Sequence, residues 1–175
     1  ASRARGKKWT KVELSCTLTR LSTGFQGPKM FRGSTVATID DKGRLKVPTD
    51  FRRTLEDRFG PEFFITSVAG DHALVYPIPV WEEIESRLAA LPATDRIKER
   101  YLERVSYFGQ QSRLDGQGRL LVPTILRSSA SMSGEVVVSA RIDHLVVWNR
   151  ERFEKRLTEH PFSDEDFSLL SERGI

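Results

Sequence analysis

The chain has 175 residues, 38% of them hydrophobic and 30% charged, with 12 Gly and 8 Pro, a globular composition for one medium or two small domains that excludes collagen-like and disordered classes. No apolar run reaches the roughly 20 residues of a membrane span, and the single cysteine, Cys16, lacks a second thiol for a disulfide or a zinc site, so a reducing cytoplasm is the expected compartment. The net charge of +4 resembles a nucleic-acid signal, yet residues 1–29 hold seven basic residues against Glu13 alone, while the other 146 hold 21 basic and 23 acidic ones; DNA binding by the body must therefore rest on where a few cations sit.

Residues 1–29 are predicted to form a basic flexible arm, rich in Ser, Thr, Lys and Arg and closed by Gly27-Pro28-Lys29. The arm lacks the apolar stretch of a secretory signal, although a basic, acid-poor leader also fits an organelle transit peptide. From Met30 the pattern becomes periodic. Residues 35–39 read as a strand, 40–43 as a turn and 44–47 as a returning strand, with Leu45 and Val47 on one face and Arg44 and Lys46 on the other. Pro48 stops that strand, Thr49 is the expected cap of a short helix over 50–58, and Gly60-Pro61 ends it. Residues 63–66 and 73–76 then read as a second strand pair about the Gly70-Asp71 turn.

Next, Trp81, Ile84, Leu88 and Leu91, and after Pro92 also Ile97, Tyr101 and Val105, fall at helical spacing, predicting a helical hairpin. The strand grammar then returns at 119–122, 136–139 and 145–148. It returns because the sequence repeats: Asp40 to Thr49 and Arg52 align with Asp115 to Thr124 and Arg127 at a constant offset of 75, and His72 and Tyr76 match His144 and Trp148 at 72. Two copies are too few for a solenoid and predict two similar modules that bury their apolar faces against each other. The expected organisation is an arm at 1–29, modules at 34–79 and 109–152, a helical connector at 80–108, and a C-terminal helix and acidic tail at 153–175. Within that last stretch 151–159 reads as helix and 163–175 as weakly structured, with Phe162, Phe167, Leu169 and Leu170 as docking points.

The duplicated Asp-x-x-Gly-Arg turn carries the chemistry. Gly43 and Gly118 supply the positive φ of a tight turn, Asp40 and Asp115 accept turn amides, and Arg44 and Arg119 leave each turn at a fixed place. An Asp–Arg pair across the turn would orient the guanidinium for two-pronged bonding to a phosphate or a guanine edge. Lys42 and Lys46 stand beside Arg44, where the second copy has Gln117 and Leu121; this predicts more phosphate contact from the first module. The plain alternative is a stable turn with a solvated ion pair, against which two matched copies argue.

Met30-Phe31-Arg32-Gly33, the first turn with Pro48 and Arg52, Tyr76-Pro77, Trp81-Glu82 and the second Asp-Gly-Gln-Gly-Arg-Leu-Leu-Val-Pro turn resemble, in order and spacing to about Phe153, the MraZ family of bacterial transcriptional regulators. The resemblance implies an α+β, mainly β fold of two tandem SpoVT/AbrB-like modules, each a swapped-hairpin unit, related by a pseudo-two-fold axis. It further implies a cytoplasmic, nucleoid-associated homo-oligomeric ring that binds repeated promoter boxes of double-stranded DNA. Such proteins mainly repress the division and cell-wall gene cluster that includes their own gene. The family's DNA-binding Asp-x-x-x-Arg motif maps onto Asp40 and Arg44, and onto Asp115 and Arg119. Family members usually begin at the equivalent of Met30, so the arm is a departure.

His72 and His144 read as structural turn residues more readily than as a metal pair, since nothing nearby completes a tetrahedral set. Tyr76, Trp81 and Trp148 have core periodicity, with base stacking as the alternative. Phosphate-loop, nucleophile-elbow and zinc-protease motifs are absent, so no catalytic residue, cofactor or small-molecule ligand is predicted. The competing class is a non-DNA interaction protein, either a ring-forming scaffold or an AbrB-type antitoxin.

Overall fold

The computed structural model describes residues 32–174, so the arm predicted at 1–29 lies outside the described residues. In chain order the elements are β1 (Ser34–Ile39), β2 (Arg44–Lys46), α1 (Thr49–Phe59), β3 (Glu62–Thr66), β4 (Ala73–Pro77), α2 (Ile78–Ala89), α3 (Arg96–Phe108), β5 (Gln110–Arg113), β6 (Arg119–Leu121), α4 (Thr124–Ser129), β7 (Gly134–Arg141), β8 (His144–Asn149), α5 (Arg150–Glu159) and α6 (Asp164–Glu172). The strands form one sheet in the order β5-β3-β4-β8-β7-β1-β2-β6, with antiparallel pairing throughout. Its end strands β5 and β6 are joined by the second turn, where the Asp115 N–H donates to the Arg119 carbonyl at 3.0 Å, so the sheet curls nearly into a barrel.

The two copies do more than press apolar faces together, because their backbones share one ladder. β1 pairs with β7 and β5 with β3, while β2 pairs with β6 and β4 with β8. Exchanging the copies maps this set onto itself, which places an approximate two-fold axis between β2 and β6 and between β4 and β8. At the first of these places Leu45 and Leu120 stand opposite each other, fully buried in a core that also takes Val47, Val122, Leu55 and Leu126. Burying each such leucine contributes about 1.5–3 kcal/mol.

Two local expectations are corrected. Thr49 is the first residue of α1 and not its cap: Pro48 occupies the cap position with φ −55° and ψ 138°. The proline's fixed φ ends the strand and leaves its carbonyl to accept the Arg52 N–H at 2.8 Å, which moves Thr49 one residue inside. The second copy repeats this with Pro123 and the Arg127 N–H at 2.9 Å. The acidic tail, in turn, is helical as α6. Ser163 and Asp166 form a reciprocal capping box, and Phe162 packs edge-on against Phe167 with ring centroids 4.7 Å apart; the box and the flanking hydrophobic pair together fix a helix start.

The connector is two helices, α2 and α3, with Asp95 capping α3 by accepting from the Ile97 and Lys98 N–H groups. Trp81, Val105 and Phe108 are its buried side chains. Trp81 stacks on Phe64 and leans on Tyr76, so these rings serve packing. Burial pushes the Tyr76 hydroxyl up to about 12, with Tyr101 and Asp143 adding to the rise. No helix among the described residues is long and apolar enough to cross a membrane.

Candidate nucleic-acid interface

Each Asp-x-x-Gly-Arg turn is closed by its own sequence. Gly43 and Gly118 adopt φ of 78° and 71°, values that an L side chain disfavours. Their N–H groups donate to the Asp40 and Asp115 carbonyls, both at 2.8 Å. Asp40 Oδ1 accepts the Lys42 and Arg44 N–H groups, as Asp115 Oδ1 accepts those of Gln117 and Arg119. The other carboxylate oxygen holds the arginine: Nε and Nη2 of Arg44 lie 2.8 and 2.7 Å from Asp40 Oδ2, and Arg119 meets Asp115 Oδ2 at the same two distances. A guanidinium has five N–H donors, so three on each arginine remain for a partner.

Pairing of β2 with β6 then brings the turns' products together. Arg44 stands opposite Leu121 and Lys46 opposite Arg119. Because side chains alternate along a strand, these four share the outer face, with Leu45 and Leu120 beneath. The two arginines are diagonal partners about 8 Å apart at Cα by strand geometry. All four are part or fully exposed. The imbalance read along the sequence is redistributed in space, since Lys46 of the first copy reaches the second turn, donating through Nζ to the Gln117 carbonyl. Lys42 stays on the first turn.

Two further arginines, aligned by the repeat but not assigned a role from the sequence, complete the patch. Arg127 on α4 lies over the first turn, so that a β-carbon on Gly43 would stand 2.2 Å from its Cζ. Arg52 on α1 lies over the second, with Nη1 2.4 Å from a β-carbon on Gly118. The copies are also crossed in the backbone, where the Val47 N–H donates to the Gly118 carbonyl at 3.1 Å and the Val122 N–H to that of Gly43 at 3.0 Å. Each turn is thus braced by the other module. The constant 75-residue offset of Arg52 and Arg127 was the available signal, but only the crossing shows which turn each one covers.

The hydrogen bond from the Arg44 side chain, with that from its N–H, holds the Asp40 carboxyl below the ordinary 3.8. At Asp115 partial desolvation pushes the carboxyl up, but the bonds from Arg119 and Gln117 outweigh it and the net shift is also downward. For depressed carboxyls the unfolded chain takes up protons first. Their contribution to stability is therefore complete above about pH 5 and is lost as pH falls through the lower folded values. Asp40→Asn with Asp115→Asn is expected to flatten the decline in the urea midpoint between about pH 5 and about pH 2, and carboxyl-carbon NMR titration of the parent protein should give both groups apparent values below 3.8.

His72 and His144 line one open cavity, each tied to partners of its own. His72 stacks on Trp148 and His144 on Tyr76, at 4.4 and 4.5 Å between centroids, and each ring bonds the aspartate before it. Among the described residues no group of three His, Cys, Asp or Glu is placed to hold a metal ion.

A family model described as "MraZ protein, putative antitoxin-like" matches residues 30–104 and 109–174. Proteins named Transcriptional regulator MraZ are similar to this chain: that of Acidobacterium capsulatum is 43% identical over 146 residues, 83% of this chain and 100% of the relative. The protein of that name from Koribacter versatilis is 44% identical over 147 residues, with the same coverage, and that of Escherichia coli O127:H6 is 32% identical over 131 residues, 74% of this chain and 86% of the relative.

Proposed function

The chain belongs to the MraZ family, and from that premise we propose that it is a sequence-specific DNA-binding transcriptional regulator. It represses the division and cell-wall gene cluster that includes its own gene, in the cytoplasm and at the nucleoid. The observation that carries this reading is the β2·β6 ribbon, which sets Arg44, Lys46 and Arg119 on one outer face with both guanidiniums oriented by their turn aspartates. A two-stranded ribbon fits the roughly 12 Å major groove, and a patch about 8 Å across spans some two base-pair steps. Asp40 and Asp115 act as positioning residues, Gly43 and Gly118 as turn formers, and Arg44, Arg119, Lys42 and Lys46 as the contacts. The swapped-hairpin reading is supported by the crossed bonds between Val47 and Gly118 and between Val122 and Gly43.

Several copies in a homo-oligomeric ring would engage successive promoter boxes, and the tethered set gains from high effective concentration. No cofactor or small-molecule ligand enters this mechanism. The test is binding of the full chain to DNA upstream of its own gene and to a scrambled duplex. Arg44→Ala and Arg119→Ala are each expected to weaken binding to the cognate duplex by roughly 5–150-fold, the value of one good bidentate contact, by similar amounts, and with much smaller effects on the scrambled one. Equal binding of the parent protein to both duplexes would overturn the regulator and favour the scaffold or antitoxin.

A further inference from the structure

Helix α6 has a well-made start and no place to rest. Its capping box and the Phe162–Phe167 pair fix the first turn, yet none of its residues is buried, and Phe162, Phe167 and Leu169 are 58%, 62% and 46% exposed. Nine residues are too few for a helix to persist in water on propensity and capping alone; tertiary packing of an apolar face normally supplies the rest. The same helix carries Asp164, Glu165, Asp166 and Glu172 and no basic residue.

Elsewhere in the chain lies a surface of the opposite description. Between α2 and α3 an open groove of about 480 Å³ is lined by Ile84, Leu88, Leu91, Ile97 and Tyr101, with Leu91 and Ile97 43% and 71% exposed. Arg87 and Lys98 stand on its lining, Arg87 in an exposed pair with Glu83 at 3.1 Å and Lys98 donating to the Leu91 carbonyl, while its one acidic lining residue, Asp95, is occupied in capping α3. At 1.5 Å per residue α6 is about 14 Å long and the flanking helices about 18–20 Å, so the helix fits within the groove.

We propose that α6 of one copy seats in the α2/α3 groove of a second copy of this chain. Phe167 and its apolar neighbours face Ile97 and Leu91, and the acidic first turn lies toward Arg87 and Lys98. The two surfaces are different parts of the chain, so the contact is head-to-tail and propagates until it closes. This rests on the self-assembly proposed above and supplies its interface, whereas its test contains no DNA.

The experiment is sedimentation velocity of the full chain at several concentrations, with circular dichroism to confirm folding. Phe167→Asp and Ile97→Asp, both at exposed positions, are each expected to weaken self-association at least tenfold while leaving the fold intact. Mixing the two variants tests direction: the first retains a sound groove and the second a sound α6, so the mixture should form a 1:1 complex that stops there. Assembly unchanged by both variants would overturn these surfaces while leaving a ring built otherwise. A mixture without the 1:1 species would also overturn them, and a parent protein monomeric at every concentration would remove both the interface and the ring. In each case DNA binding by Arg44 and Arg119 is judged separately.

Discussion

Leu45→Ala and Leu120→Ala are each expected to cost about 2–5 kcal/mol of folding stability, and the double variant is expected to be largely unfolded at room temperature. Both side chains are completely buried and face each other across the β2·β6 pair. Either truncation opens a cavity against a neighbour that cannot retreat, because strands of three residues have few ladder bonds of their own to keep them in place. In a domain of this size each loss corresponds to a fall in Tm of roughly 4–20 °C. Since native stabilities run to only about 5–15 kcal/mol, the pair approaches the whole. The two sites touch, so their effects need not add. Urea titration of both single variants and the double checks this, with Leu45→Met as the volume-conserving control, expected to lose less than about 1.5 kcal/mol. A double variant with the parent's midpoint would show that the axis is not where the sheet is held.

The same leucines show how far sequence reading reaches. Leu45 and Val47 alternate with Arg44 and Lys46, so the inward and outward faces of β2 were legible, as was the duplication that repeats them at Leu120 and Val122. Its return against β1 was legible from the turn as well, but its pairing with β6 was not. Hydrophobic alternation names a face and leaves the neighbour open, and β2 meets β1 only at Ile39 and Leu45 while it meets β6 along its length. The crossing also moved Lys46 from the turn it adjoins in sequence to the one it supports in space. β5 reads Gln-Gln-Ser-Arg, with one buried position, Ser112, so no apolar pattern marks it; pairing with β3 makes it a strand. α6 was missed for the opposite reason. Its acidic composition suggests a solvated tail, while its Ser163–Asp166 box is a helix signal of local chemistry. The candidate arginines were visible because a turn fixes its residues over a few positions. Arg52 and Arg127, whose role depends on the other module, were visible only as a match.

Gly118→Val, and equally Gly43→Val, is expected to cost about 3–5 kcal/mol, made up of two parts. The first is local: a β-branched residue at a φ near 70–80° bears the left-handed penalty of roughly 1–2 kcal/mol and more for its branching. The second is imposed by the other module. At Gly118 the new β-carbon would meet Arg52 Nη1 at 2.4 Å and Cδ at 2.6 Å, so the Arg52 side chain, a third exposed and 3.6 Å from Glu56 Oε2 through its Nε, must give up its place over the turn. Moving the turn aside instead would break the bond from the Val47 N–H to the Gly118 carbonyl and carry Arg119 off its aspartate. Arg52→Ala relieves the clash but not the backbone strain. Combined with Gly118→Val it should recover only part of the loss, while Gly134→Val, at φ 67° with nothing within 4 Å of its β-carbon, should show the conformational cost alone. Thermal unfolding of the four proteins separates the parts: a Gly118→Val loss no larger than that of Gly134→Val would mean that the opposing arginine does not hold the turn, and the crossed brace would lose its role in aiming Arg119.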